Sequence, residues 1–171
     1  GKVAETVRKV SPDVIVNAAA YTAVDRAETE PDLAELVNTK AASTLAREAR
    51  SLGAWLVHYS TDYVFDGSGT RPWQENDAPA PLNVYGKTKW DGELAVEDSG
   101  SKHLIFRTSW VYAARGNNFI RSMLRLASER DALDIVDDQY GAPTGAALIA
   151  DVTAHALRML VNGSGASGLF H

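Results

Sequence analysis

A tyrosine and a lysine four residues apart are the first side chains in this sequence whose types and spacing suggest chemistry. Tyr85 precedes Lys89 in a segment of helical character, and residues i and i+4 lie on one helix face, about 5 to 6 Å apart at Cβ. A free phenol titrates near pH 10, too high for efficient proton exchange at neutral pH. An ammonium about 6 Å away, at an effective dielectric constant near 20, would favour the phenolate by roughly 2 to 3 kcal/mol. The pair predicts a general acid or base whose pKa is lowered by Lys89.

Hydroxyl groups at a predicted strand end lie some two dozen residues upstream. The apolar residues 54–57 are followed by His58 and then by Ser60 and Thr61, a pattern that predicts a buried strand with polar residues at its carboxyl end. Open α/β sheets bind their ligands at that edge. We therefore expect Thr61 to hold the carbonyl or hydroxyl group on which Tyr85 acts. For the tyrosine and lysine alone, a surface lysine one turn after a half-buried tyrosine is the alternative.

The apolar pattern also predicts the elements that position these residues. Residues 2–10 have helical spacing, with Val3, Val7 and Val10 on one face, and residues 14–16 form a short strand that leads into three alanines. A second helix begins at Pro31 and ends before Gly53, a suitable C-terminal cap. Its predicted apolar stripe consists of Leu33, Leu36, Val37, Ala41, Leu45 and Ala49.

The remaining elements continue this alternation of helices and strands. We predict strands at residues 103–106, 133–136 and 168–171, a helix capped by Asn117 or Asn118, and a helix over residues 145–161. Successive helix–strand units favour an α/β fold with a Rossmann-like, doubly wound parallel sheet. Residues 1–171 are predicted to form a single domain of this type.

Two segments rich in glycine are predicted to be connections. Residues 66–81 form a loop over the site, in which Trp73 either covers a ligand or anchors the loop. Residues 163–168 fit the spacing of a dinucleotide fingerprint, but that fingerprint must follow a strand and open a helix. Here a predicted helix precedes the glycines and a predicted strand follows them, so we interpret them as a connector. The phosphate-binding loop of a dinucleotide enzyme is then expected before Gly1.

Composition excludes several other functional classes. The chain has 171 residues, a net charge of −5, 45% hydrophobic and 23% charged residues, and no cysteine. These values are typical of a globular domain and give no basic surface for nucleic acid. Without cysteine there is neither a disulfide framework nor a thiolate metal site. No apolar run approaches the length of a membrane span, and the first residues do not form a signal peptide. We expect a cytoplasmic protein that binds neither nucleic acid nor membranes.

Five segments together resemble the dTDP-4-dehydrorhamnose reductase family of extended short-chain dehydrogenases. The motifs include His58-Tyr-Ser-Thr-Asp-Tyr-Val-Phe65 and Tyr85-Gly-Lys-Thr-Lys89. The resemblance covers essentially the whole chain, in order, and its segments are residues 14–28, 58–65, 81–89, 107–112 and 138–144.

The resemblance implies a single, truncated NAD(P)-binding domain over residues 1–171, with substrate-lobe segments interleaved at about 111–144. It also implies an oxidoreductase that uses NADPH or NADH to reduce the 4-keto group of dTDP-4-dehydro-6-deoxy-L-mannose to dTDP-L-rhamnose. Such an enzyme serves the synthesis of cell-surface polysaccharides such as the lipopolysaccharide O-antigen. By similarity, Tyr85 donates a proton to the forming alkoxide, Lys89 lowers the Tyr85 pKa and holds the nicotinamide ribose, and Thr61 binds the keto oxygen. Positions similar to those that line the cofactor are Ala20, Tyr21, Thr22, Tyr59, Tyr85 and Lys89, and the substrate side comprises Thr61, Asp62 and Trp110.

The resemblance further implies a homodimer and a magnesium ion at a subunit contact, although no carboxylates for that ion can be assigned from the sequence. The family's glycine-rich βαβ segment and its C-terminal part have no counterpart here, so residues 1–171 alone are expected to bind NADPH poorly and to be inactive. Two alternatives remain. One is a nucleotide-sugar epimerase or dehydratase of the same superfamily. The other is a non-catalytic binding module similar to the regulatory subunit of methionine adenosyltransferase.

Overall fold

The computed structural model describes residues 1–171 and shows helices alternating with strands. The first half contains α1 (Lys2–Val10), β1 (Val14–Asn17), α2 (Val24–Ala27), α3 (Pro31–Glu35), α4 (Ala41–Leu52) and β2 (Trp55–Thr61). The second half contains α5 (Val84–Asp98), β3 (Lys102–Thr108), β4 (Val111–Tyr112), α6 (Phe119–Glu129), β5 (Thr144–Gly145), α7 (Ala146–Val161) and β6 (Gly168–Phe170). None of these helices has both the length and the apolar composition needed to cross a membrane.

Four strands form the main sheet, in the order β1-β2-β3-β6. β1 runs parallel to β2, with Asn17 opposite His58, and β3 runs parallel to β6, with Phe106 opposite Phe170. Helices α4 and α5 contact β2 and each other. The predicted α/β, Rossmann-like fold class is confirmed. Because β2 ends at Thr61, the predicted hydroxyl groups lie at the carboxyl edge of the sheet.

The helical segment over residues 31–52 buries a face that agrees with the prediction only in its C-terminal part. Leu33 and Leu36 of the predicted stripe are 44% and 54% exposed. A π-helical turn at Leu36–Lys40 joins α3 to α4. Such a turn contains one extra residue, so it rotates the following positions relative to a regular helical period. Ala49 of the predicted stripe is buried, and Leu45 packs against the core. The other buried residues of the segment are Ala34, Asn38, Ala42, Ala46 and Glu48.

Small side chains bring the helices close to the sheet. The apolar core is formed by Ala42, Ala46, Ala49, Ala54, Leu56, Val96 and Ile105, with Ile15, Leu45 and Leu169 packed against it. It therefore joins α4, β2, α5 and β3. In α1 the buried residue is likewise an alanine, Ala4, whereas Val3 and Val10 of the predicted apolar face are exposed. This core fixes α5, the helix of the predicted tyrosine and lysine, against β2.

The chain divides into two compact units, residues 1–107 with 167–171, and residues 108–166. In the second unit β4 and β5 pair in parallel, with Val111 opposite Thr144, a ladder that was not predicted. Asn118 caps α6 as predicted, but α6 has no buried residue. The predicted strand at residues 133–136 is wrong, because this segment is irregular. A short β-branched run there has no neighbouring strand to pair with. The predicted lobe boundaries at 111–144 stay a prediction.

Candidate active site

Strand β2 delivers Thr61 to the sheet edge, and the backbone that follows fixes its hydroxyl group. Thr61 is 5% exposed and caps a short 3-10 turn at Asp62–Val64. Its Oγ1 accepts a hydrogen bond from Tyr63 N at 3.2 Å and donates one to Asp62 Oδ1 at 3.2 Å. The two predicted substrate-side residues of this strand end, Thr61 and Asp62, are therefore in direct contact.

Helix α5 begins beside this turn and carries Tyr85 in its first turn. Asn83 caps the helix, since its Oδ1 accepts a hydrogen bond from Gly86 N at 2.7 Å. Tyr85 is half-buried, is hydrogen-bonded to the Thr61 side chain, and packs edge-on against the Tyr63 ring with the centroids 5.5 Å apart. The structure thus brings together the predicted acid–base tyrosine and the predicted hydroxyl group.

Lys89 lies one turn further along α5 and is almost completely buried, with 2% of its surface exposed. Its Nζ donates a hydrogen bond of 2.5 Å to the backbone carbonyl oxygen of Tyr59 on β2. Burial lowers the pKa of Lys89 to about 8, although the Glu93 carboxylate acts in the opposite direction. Lys89 is therefore mainly charged at neutral pH, in spite of its position between helix and sheet.

The pKa of Tyr85 differs from the sequence-based expectation. Burial raises the pKa of Tyr85, the hydrogen bond with Thr61 lowers it, and the nearby Asp62 and Tyr63 raise it further. Loss of hydration disfavours the phenolate, and the ammonium of Lys89 is directed at the Tyr59 carbonyl. The predicted lowering of the Tyr85 pKa by Lys89 is therefore wrong for this structure. Tyr85 keeps its proton at neutral pH.

A buried histidine on β2 is a feature to which sequence reasoning gave no role. His58 is 1% exposed, and its Nδ1 lies 3.0 Å from Asn17 Nδ2. Asn17 Oδ1 accepts a hydrogen bond from Ala19 N at 3.3 Å, so its NH₂ group faces the imidazole. Nδ1 then accepts and the proton is on Nε2, which has no hydrogen-bond partner. Burial, followed by the charge of Lys89, lowers the pKa of His58 to about 3.

Asn38 connects three segments around the site and was also missed. It lies in the π-helical turn, is 1% exposed, and accepts a hydrogen bond from Tyr21 N at 2.8 Å through Oδ1. Its Nδ2 donates to the Tyr21 carbonyl oxygen at 3.2 Å and to Thr88 Oγ1 at 3.1 Å. Asn38 lies four positions from both Ala34 and Ala42, a spacing that would place all three on one buried face. The sequence indicates this face only if residues 36–40 are known to form a π-helical turn.

The residues predicted to line a cofactor lie after β1 and on β2, whose carboxyl ends are neighbours. Ala20 is half-buried and Thr22 is exposed. The hydroxyl group of Tyr21 donates a 2.5 Å hydrogen bond to Glu30 Oε2, and this bond raises the pKa of Tyr21. Tyr59 is half-buried. These four positions therefore share one edge of the sheet, and Tyr21 is tied to the helical segment rather than free to turn.

A buried ion pair joins α5 to β3 and has no counterpart in the predictions. Arg107 Nε donates to Glu93 Oε1 at 2.9 Å, and Arg107 Nη2 donates to Glu93 Oε2 at 2.6 Å. The two side chains are 5% and 2% exposed. The guanidinium carbon also lies 5.0 Å from the centroid of the Phe65 ring. Because Glu93 follows Lys89 by four residues, charged groups continue along the buried side of α5.

Trp73 anchors the loop of residues 66–81, which was one of its two predicted roles. Its ring stacks on Phe65 with a centroid distance of 4.5 Å and an interplanar angle of 3°. Within the loop, Arg71 binds Asp77 through two hydrogen bonds of 2.6 and 2.9 Å. The glycine-rich residues 163–168 connect α7 to β6, so the interpretation of this segment as a connector is confirmed.

Trp110 belongs to the unit of residues 108–166, where it is 43% exposed. Its backbone has a φ of 44°, in the left-handed region that a bulky residue adopts rarely. The Trp110 ring occupies the space that a side chain on Gly141 would need. Its predicted contact with substrate stays a prediction. No group of three or more histidine, aspartate or glutamate side chains in the chain is arranged to hold a metal ion.

Comparison with known proteins decides the family of this site. The family described as "RmlD substrate binding domain" matches residues 1–171. The chain belongs to the RmlD substrate binding domain family. The dTDP-4-dehydrorhamnose reductase of Salmonella typhimurium is 64% identical over 169 residues, which is 99% of this chain and 56% of that protein. The Escherichia coli K12 protein of the same name is 60% identical with the same coverage.

Solved structures agree with this membership of the RmlD family. A Bacillus anthracis dTDP-4-dehydrorhamnose reductase in complex with NADP superimposes with a TM-score of 0.89 at 40% identity, covering 99% of this chain and 59% of that one. The predicted resemblance to dTDP-4-dehydrorhamnose reductases is therefore confirmed. This chain spans a little over half the length of the relatives that it matches.

Proposed function

We propose that this RmlD-family chain carries the catalytic centre of a dTDP-4-dehydrorhamnose reductase. The reaction is reduction of the 4-keto group of dTDP-4-dehydro-6-deoxy-L-mannose to dTDP-L-rhamnose. The observation that supports it best is the hydrogen bond between Thr61 and Tyr85, with Lys89 one helical turn away, in a chain 64% identical to a protein of that name. An epimerase or dehydratase fits this degree of identity less well.

Tyr85 is suited to give a proton to the alkoxide that forms at C4 of the sugar. Its pKa is raised by burial, so the phenol is protonated at neutral pH. An alkoxide is far more basic than a phenolate, and transfer of the proton from Tyr85 is downhill. General acid catalysis of this kind contributes typically about 10²- to 10⁴-fold to a rate.

Thr61 and Asp62 are suited to orient the keto oxygen beside Tyr85. The Thr61 oxygen is held in place by Tyr63 N, and its single proton is donated to Asp62 Oδ1. When substrate binds, that proton has to turn from Asp62 to the keto oxygen, where a donor stabilises the developing oxyanion. Trp110, two residues beyond the end of β3, is proposed as a wall for the sugar.

Lys89 is suited to bind the ribose of a nicotinamide cofactor beside Tyr85. Its ammonium is charged below a pH of about 8 and lies in an interior where electrostatic interactions are stronger than in water. One of its three N–H bonds is used by the Tyr59 carbonyl oxygen. The others are available to a ribose hydroxyl group.

The sheet edge fits a nicotinamide cofactor, NADPH or NADH, which supplies the hydride when bound. Ala18 and Ala19 are exposed at the end of β1, and side chains this small leave the backbone open to a flat ring. Ala20, Tyr21, Thr22 and Tyr59, together with Tyr85 and Lys89, are the residues proposed to hold it. A homodimer and a cytoplasmic location complete the proposal, whereas the chain has no cluster of carboxylates that fits a magnesium ion.

The test is an NADPH-oxidation assay on the protein expressed from its complete gene, with enzymatically generated dTDP-4-dehydro-L-rhamnose and identification of the product. We expect dTDP-L-rhamnose from the wild type and a loss of about 10²-fold or more in kcat for Tyr85→Phe. Tyr140→Phe removes the same hydroxyl group from a residue that is 96% exposed, and it should retain the wild-type rate.

Residues 1–171 alone belong in the same assay. No glycine-rich turn within them leads from a strand into a helix, so we expect weak NADPH binding and no turnover. Conversion of substrate without net NADPH oxidation would instead indicate an epimerase. A complete protein that is inactive but retains a stable protein partner would indicate a binding module.

A further inference from the structure

We propose that Glu93 is a positioning residue for the acid–base pair: its carboxylate, held in place by Arg107, keeps Lys89 charged in the interior of the protein. The inference rests on the proposed function for its catalytic consequence. The charge of Lys89 itself can be measured without any enzymatic activity, so the two proposals can fail separately.

The first support is the position of the two side chains on α5. Lys89 and Glu93 are four residues apart in a continuous helix, so they lie on one face, about 5 to 6 Å apart at Cβ. They are 2% and 1% exposed. A buried ammonium without a compensating negative charge releases its proton rather than pay the cost of lost hydration. Glu93 is placed to supply that charge.

The second support is the way in which Arg107 holds the carboxylate. Both Glu93 oxygens accept hydrogen bonds from Arg107, at 2.9 and 2.6 Å, in the two-point geometry that fixes a carboxylate in plane. Glu93 therefore cannot turn towards solvent. Charges alternate in sign from Lys89 through Glu93 to Arg107, so the one carboxylate is shared between two cations.

The other polar groups around Lys89 do not replace this charge. From β2, His58 is neutral because its pKa is lowered to about 3, and Tyr59 offers a carbonyl dipole. On α5 itself, Tyr85 is protonated, and Asp62 of the turn after β2 acts on Tyr85. Glu93 is the group that raises the pKa of Lys89.

The decisive experiment is an NMR titration of the Lys89 side chain in protein labelled at lysine, with the signal assigned by its loss in Lys89→Arg. In the wild type we expect Lys89 to titrate near the pH of about 8 that burial sets. In Glu93→Gln the midpoint should fall by about one pH unit or more. Glu97→Gln removes an exposed carboxylate one turn further along α5, and it should leave the midpoint within about 0.3 unit.

A second variant covers the case in which Glu93→Gln does not fold. Glu93→Gln combined with Arg107→Gln removes both members of the ion pair, so neither is left without its partner. The Lys89 midpoint should still fall, because Glu93 is the one of the two that acts on the pKa of Lys89. An unchanged midpoint in whichever of these variants folds would overturn the proposal. So would a wild-type Lys89 that titrates below pH 7, a result that requires no variant.

Activity provides an independent readout. If the complete protein is a reductase, kcat should decline as pH rises through the Lys89 midpoint, and Glu93→Gln should move that decline to lower pH with little change in KM. A merely structural role for Glu93 would lower the amount of folded enzyme without moving the pH profile. If the protein is not a reductase, the titration still decides the role of Glu93.

Discussion

Helix α5 carries two lysine–acid pairs with the same four-residue spacing on its two opposite sides. On the solvent side, Lys87 Nζ lies 2.7 Å from Asp91 Oδ2, and the lysine side chain is 65% exposed. On the inner side, Lys89 and Glu93 are 2% and 1% exposed, and Glu93 binds Arg107. The four-residue spacing is the same in both pairs. The pairs differ in their exposure to solvent.

The difference shows that burial rather than spacing decides what a charged pair does. Water already solvates Lys87 and Asp91, so their attraction is worth little. The inner charges have lost that hydration and depend on one another, so removal of one partner leaves an uncompensated charge. Burial of the inner pair lowers the pKa of Lys89 to about 8. Three variants can test this contrast.

The largest effect is expected for Arg107→Gln. It leaves the Glu93 carboxylate buried without its two-point partner, a change that typically costs about 3 to 5 kcal/mol. The free energy of unfolding from urea titration at pH 7 measures it. Lys102→Gln removes an exposed charge from the same strand and should cost less than about 0.5 kcal/mol. If Arg107→Gln also lowered the free energy of unfolding by less than about 0.5 kcal/mol, the proposed difference between the buried and the exposed side of α5 would be wrong.

An intermediate, pH-dependent effect is expected for His58→Gln. The folded protein binds a proton at His58 only near pH 3, whereas the unfolded chain does so near pH 6.5. The unfolded state therefore binds more protons between these values, and stability is lost as the pH falls through them. Between pH 7.5 and 4.5 this one group removes roughly 2 to 3 kcal/mol.

Urea titrations at the two pH values measure that difference. His58→Gln should lose less stability on acidification than the wild type, while His103→Gln, at a half-buried histidine of β3, should behave as the wild type does. An unchanged acid response in His58→Gln would mean that the imidazole is accessible to protons in the folded state.

The smallest effect is expected for Lys87→Gln on the solvent side of α5. An exposed pair at this spacing contributes about 0.3 to 0.5 kcal/mol, and about 1 M salt should abolish even that. Unfolding at low and high salt measures it. A salt-independent cost above about 2 kcal/mol would contradict the assignment of this pair to the solvent side.

The chemistry-bearing residues of α5 and β2 were predictable because their signals are local. A helix sets Tyr85 and Lys89 on one side, and an apolar run that ends in hydroxyl groups sets Thr61 at a sheet edge. The Gly53 cap and the Pro31 start follow equally local rules. None of these predictions required knowledge of which elements are neighbours.

The features that were missed depend on tertiary contacts. The Tyr85 pKa is governed by burial that the sequence does not display. The pairing of Glu93 with Arg107 joins residues on different elements. The burial of Asn38 depends on a π-helical turn that no local sequence pattern indicates. Residues 133–136 have the composition of a strand but no partner to complete one.

Two glycines in α5 have a mechanical consequence. A Cβ on Gly86 would overlap the Tyr63 carbonyl oxygen, and a Cβ on Gly92 would overlap the Asn38 carbonyl oxygen. The helix is thus in backbone contact with different segments at two points along its axis, and it can neither roll nor slide without breaking one of them. Tyr85 therefore lies on a helix that is fixed relative to its neighbours. Any motion needed for turnover has to come from other segments around the site.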